Sequence, residues 1–133
     1  MLGINTGKKI MELYPSINVY GKELEPCCDK PKTGFFRNGR CDTCKEDLGI
    51  HTVCILATEE FLTFSKMVGN DLSTPSSDFA FPGVKPGDRW CLCALRWQEA
   101  YDHGKAPPVF LESTHEKTLK CVDFHLLQQF TVN

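Results

Sequence analysis

Apolar and polar positions along the chain fall into short periodic segments divided by turn-rich stretches. Residues 17–24 predict a first short strand, and the β-branched apolar run HTVCILA at 51–57 predicts a second. Thr58 then supplies an N-cap, with Glu59 and Glu60 at the positive end of the helix dipole. Phe61, Phe64 and Val68 form an apolar stripe that stops at Gly69, so a helix follows the second strand. Beyond a long loop, residues 90–95 predict a strand that turns into a short helix over 96–103, which Gly104 ends. Pro107 and Pro108 break the chain. A further strand is expected at 109–112, and Ser113 with Glu116 forms a capping box that starts a helical turn at Thr114 and His115. A last helix follows Asp123. Between the first two strands lies an irregular, cysteine-containing region reaching Asp47, in which Asn38-Gly39 marks a hairpin turn. The elements are too few and irregular for a doubly wound sheet. They predict an α+β two-layer sandwich: a small mixed or antiparallel sheet, short helices on one face, and long ordered loops.

A chain of 133 residues suits one domain, expected over 14–133, with residues 1–13 read as a dispensable N-terminal extension. Neither a secretory signal nor an apolar run long enough to span a membrane is evident, so a cytoplasmic protein is expected. The net charge of −2 gives no general attraction for nucleic acid or acidic membranes. One segment, KPKTGFFRNGR, concentrates positive charge beside two phenylalanines, a composition able to touch phosphates and stack a base. Its Asn-Gly turn favours a solvated hairpin, and no nucleic-acid partner is expected. Eight cysteines in a reducing compartment read as metal ligands, reactive thiols or core residues before they read as disulfides.

The stretch from Gly69 to Trp97, GNDLSTPSSDFAFPGVKPGDRWCLCALRW, sets a long loop directly before a strand carrying two thiols. Two apart in a strand, Cys91 and Cys93 share a face, ready to share a metal or to provide one nucleophile; the alternative is that both fill the core. Cys41, Cys44, His51 and Cys54 have the ligand types and compactness of a zinc knuckle. In a regular strand, however, His51 and Cys54 point to opposite faces and need a bulge to reach one ion. His115, at a strand-to-helix junction, is placed to be a neutral imidazole base toward Cys91, Cys93 or Cys54, or to cap backbone groups. Asp71, Ser73 and Thr74 are loop groups able to bind a small molecule or to close turns, and Arg96 with Trp97 could clamp an anionic or planar ligand. Cys27, Cys28, Cys121, His103 and His125 receive no role.

The segments NVYG, TGFFRNGRC, GIHTVC, EFLTFSKMVGNDLSTP, FPGVKPGDRWCLCALRWQEA and APPVFLESTH closely resemble the bacterial domain-of-unknown-function family 2237, over about residues 18–132. The resemblance implies a compact α+β domain and no established activity. Its pattern includes Cys41, His51, Cys54, Asn70, Asp71, Thr74, Asp88, Cys91, Cys93, Arg96 and His115. Cys44 departs from it, standing where the family has Gly, and Cys28 and Cys121 are features of this chain. The combined expectation is a cysteine/histidine site around Cys91, Cys93 and His115, walled by the 69–88 loop, with Asn70, Asp71, Thr74, Asp88 and Arg96 toward substrate. In a metal version, zinc or iron is held by Cys41, His51, Cys54, Cys91 and Cys93. In a metal-free version, a thiolate and an imidazole do chemistry. A third version is an adaptor domain that binds a protein partner.

Overall fold

The computed structural model describes residues 12–79 and 81–132, so the expected N-terminal extension falls almost entirely outside the described residues. Strand β1 (His51–Leu56) pairs antiparallel with β2 (Arg89–Cys93). Helices α1 (Glu59–Met67), α2 (Ala94–Asp102) and α3 (Phe124–Gln128) complete an α+β arrangement with a two-stranded sheet.

Helix α1 starts where its composition directs. The Thr58 hydroxyl accepts from Phe61 N–H at 3.1 Å, the glutamates occupy the first turn, and Phe61, Leu62 and Phe64 are buried. Asp123 caps α3 in the same way, accepting from His125 N–H. Strand β2 ends two residues earlier than expected, because α2 begins at Ala94 and draws Leu95 onto its exposed side. Both strands have buried centres, packed among Phe61, Val109, Leu111 and Leu127. Trp97 is fully buried at the heart of α2. Its indole N–H is satisfied by Pro107 O at 3.1 Å, and its ring stacks on Tyr101 and meets Phe130 edge-on.

Four expected features differ. Residues 17–24 form a tight loop instead of a strand. Asn18 is buried and organises it, accepting from Tyr20 N–H and Lys22 N–H while its amide donates to Glu23 O and Glu112 O. Asn38-Gly39 does turn the chain, with the Asn38 side-chain Oδ1 accepting from Arg40 N–H, but the flanks do not pair as a hairpin. Val109 makes only single bridges, to Ile55 and Thr131, before the chain tightens into a 3-10 turn at Leu111–Ser113. The capping box is replaced: Ser113 donates to Pro26 O, and His115 caps the following 3-10 helix, Glu116–Lys120.

Candidate functional site

The ladder between β1 and β2 contains one irregularity, between His51 and Val53. From Val53 onward the pairs run Val53–Leu92, Cys54–Cys91, Ile55–Trp90, yet His51 pairs with Cys93. Thr52 is therefore the extra residue of a β-bulge, its hydroxyl bonded to Thr118 at 2.7 Å. The bulge sets His51 directly opposite Cys93, where side chains of paired residues are in reach of each other.

His51 is held from behind. Its Nδ1 lies 2.7 Å from Oδ1 of Asp47, whose side chain is completely buried, while Oδ2 of the same carboxylate accepts from Thr43 Oγ1 and from His51 N–H. A carboxylate only accepts, so Nδ1 carries a proton, and in the neutral ring Nε2 holds the lone pair. The ring stacks on Phe35 and presses on the backbone at Gly49, where a Cβ would sit 2.7 Å from Cε1. Between them, Ile50 has φ of 48°, a left-handed conformation that costs a β-branched residue energy. That turn brings Asp47 under His51, with Ile50 N–H bonded to Asp47 O.

His51 and Cys93 line a cleft of about 290 Å³ with Arg37, Asn70, Leu72, Trp90, Cys91 and Arg96. Arg37 lies over the Trp90 ring at 5.2 Å and donates to Gly34 O; Arg96 pairs with Glu99 at 3.1 Å. Each guanidinium retains further donors for an anion. Two cations and no carboxylate line the cleft. Cys93 is a free, half-buried thiol and occupies the N-cap of α2, at the positive end of that helix. Cys121 is near enough to feel it: burial, then the Cys93 charge, raises the Cys121 pKa.

The remaining cysteines expected at a metal or catalytic site are organised differently. Cys27 is disulfide-bonded to Cys54, and Cys41 to Cys91. All four are buried and pack as one cluster beside Phe110. This corrects the expectation that the thiols stay reduced, and as a half-disulfide Cys91 is no free nucleophile. The knuckle of Cys41, Cys44, His51 and Cys54 does not assemble, because Cys44 lies outside the cluster as a buried free thiol. Cys27, given no role from the sequence, belongs to the cluster. Its placement comes from the main chain, Cys27 and Cys28 N–H both bonding Gly39 O, which no side-chain pattern announces.

Other anticipated residues support loops. His115 is fully buried; Nε2 bonds Pro15 O at 2.9 Å and Nδ1 accepts from Lys117 N–H at 3.0 Å, so neither nitrogen is available to a thiol. Burial lowers its pKa. Asp71 accepts from Ser73 N–H, Thr74 N–H and the Thr74 hydroxyl, and that hydroxyl bond holds its pKa below the ordinary value. Asp88 accepts from Lys85 N–H in a turn. Of the expected substrate-binding residues, the cleft collects Asn70 and Arg96, and it adds Arg37.

The fold and site define a small α+β domain rich in buried sulfur, with an oriented imidazole facing a free thiol. The chain belongs to the family described as "Uncharacterized protein conserved in bacteria" (DUF2237), which it matches over residues 17–131. No curated protein matches it. No helix among the described residues is long and apolar enough to cross a membrane.

Proposed function

We propose that the cleft between His51 and Cys93 is a thiol-dependent site acting on a small anionic molecule that carries an electrophilic carbon. The observation that carries this reading is the series Asp47–His51–Cys93: a buried carboxylate fixes the imidazole tautomer, and the bulge sets that imidazole opposite a free thiol. This is the nucleophile, base and orienter logic of thiol catalysis, with Asp47 as positioning residue. His51 Nε2 takes the Cys93 proton, the sulfur electron pair forms a C–S bond to the electrophilic carbon, and the displaced pair leaves on the substrate's leaving group or on its carbonyl oxygen. The positive end of α2 stabilises charge developing on the sulfur, while Arg37, Arg96 and Asn70 hold the anionic part of the substrate. Cys93 works here as a free thiol, outside both disulfides.

The test is the alkylation rate of each cysteine in the native protein, resolved by peptide mass mapping. Cys93 is expected to react faster than the half-buried Cys28, and His51→Gln or Asp47→Asn to slow Cys93 by tenfold or more while leaving Cys28 unchanged. A Cys93 rate indifferent to both substitutions contradicts the proposal.

A further inference from the structure

A second site lies in the cluster of buried sulfurs. We infer that Cys27, Cys41, Cys54 and Cys91 form a redox-gated tetrathiolate centre that binds one zinc ion when its two disulfides are reduced.

The sulfurs of Cys27, Cys41 and Cys54 all lie within 4.8 Å of one another, although they belong to two different disulfides, and Cys91 is bonded to Cys41. Two disulfides serving only as staples have no need to abut. Four sulfurs around a zinc ion at about 2.3 Å stand about 3.8 Å apart along each edge of the tetrahedron. Cys91 Sγ stands outside that 4.8 Å set, so closing the tetrahedron requires opening both S–S bonds and turning the Cys91 side chain toward the other three sulfurs.

The scaffold suits the same purpose. Cys54 and Cys91 are partners across the ladder, and their N–H groups point outward, to Thr114 Oγ1 at 3.1 Å and Thr33 Oγ1 at 2.7 Å. They are therefore a non-hydrogen-bonded pair, the kind whose side chains approach most closely. Cys27 and Cys41 come from the long irregular segment and close over them, shutting water out. A zinc tetrathiolate carries two negative charges and needs a cation nearby. Arg89 provides it, lying 3.6 Å over the ring of Phe110, which packs on the cluster, and donating to Cys27 O. Soft, four-coordinate sulfur selects zinc or iron over hard cations.

The chemistry balances with an external reductant such as a phosphine. Each disulfide takes two electrons and two protons, with the phosphine oxidised to its oxide by an oxygen from water. The four thiols then lose four protons as they bind Zn²⁺. Two equivalents of a peroxide reverse the binding: the four thiolates give up four electrons to re-form both disulfides and release the ion, and the peroxide takes up those electrons with four solvent protons to become water.

The experiment uses the full chain, reduced anaerobically with a phosphine and given zinc. Excess metal is removed, zinc per chain is measured, and the thiols are alkylated and mapped. One zinc per chain is expected, with Cys27, Cys41, Cys54 and Cys91 protected and Cys28, Cys93 and Cys121 modified. Cobalt in place of zinc is expected to give the strong visible absorption of a tetrahedral thiolate complex. Iron held by the same four residues supports the site equally. The Cys27→Ser variant is expected to lose zinc affinity by tenfold or more; if it fails to fold, the mapping on the unaltered chain still decides. A reduced chain that retains no zinc, or a protected set that centres on Cys93 and His51, overturns the inference. His51→Gln is expected to leave zinc stoichiometry unchanged, which keeps this test separate from that of the thiol site.

Discussion

His51 and Cys93 face each other across the β1/β2 ladder because Thr52 is bulged out of register. Without that extra residue Cys93 would oppose Thr52, and the imidazole would fall on the other side of the strand. One inserted position thus sets two strand residues face to face, the arrangement the proposed thiol site requires, while Asp47, four residues before His51, holds the imidazole from within the core.

Gly49 is the sharpest probe of that geometry. It lies outside the left-handed region, so an alanine meets no backbone strain there, but the added methyl would reach within 2.7 Å of His51 Cε1. Gly49→Ala is expected to push the ring from its seat between Asp47 and Cys93. Cys93 alkylation should slow severalfold while the thermal unfolding midpoint stays close to that of the unaltered protein. A large loss of stability with an unchanged Cys93 rate would place Gly49 in the fold rather than in the site.

Removing the disulfides has a predictable cost. They span sequence separations of 27 and 50 residues, so the chain-entropy relation assigns them about 3.5 and about 4 kcal/mol. Set against a typical total of about 5–15 kcal/mol, reduction in the presence of a chelator should bring the chain close to unfolding in water. Urea titration with and without phosphine checks this, and added zinc should restore much of the lost midpoint. A midpoint unmoved by verified reduction would show that the cysteines contribute only packing.

His115 makes stability fall in acid. Its folded pKa is lowered from 6.5, first by burial, so as pH drops below that value the unfolded chain takes up a proton that the folded chain resists. Stability is complete above the unfolded pKa, declines as pH falls from there toward the depressed folded value, and declines no further from this group below it. Protonation would also place a donor against the Lys117 N–H that Nδ1 now accepts. His115→Asn keeps an acceptor for Lys117 and loses the bond to Pro15 O. It should be less stable at neutral pH by about 1–3 kcal/mol but show a flatter urea midpoint between about pH 7.5 and about pH 5.5. An equal acid-induced drop in both proteins would assign the effect to other groups.

Much of the scaffold was legible in the sequence because its signals are local. Thr58 with Glu59 and Glu60, Asp123 before α3, and the β-branched run of β1 each act within a few residues. Cys41, His51, Cys54, Cys91 and Cys93 were singled out in the sequence too, with a bulge named only as what His51 and Cys54 would need to share an ion. Their partition was not legible. Thr52 carries no signature of a bulge, and its displacement follows from the tertiary bond to Thr118. Asp47 hid because nothing in its spacing distinguishes a buried carboxylate from a turn residue, though its place four residues before His51, with Gly49 between, was the available hint. Arg37 was read as part of a solvated hairpin, whereas it covers Trp90 at the mouth of the cleft. His115 looked like a base because it stands at a junction; its ring is spent on Pro15 and Lys117, partners about a hundred residues away and two residues away.

The central claim is that Cys93 is a nucleophile in a cleft built for anions. Its most direct test is the rate of Cys93 alkylation by iodoacetate compared with neutral iodoacetamide, with Cys28 as the internal reference in the same sample. An exposed thiolate reacts more slowly with the anionic reagent, whereas Arg37, Arg96 and Asn70 should reverse that order at Cys93, giving a ratio at least tenfold higher than at Cys28. Arg96→Ala should bring the two ratios together. A Cys93 ratio no different from that of Cys28 in the unaltered protein would contradict the account.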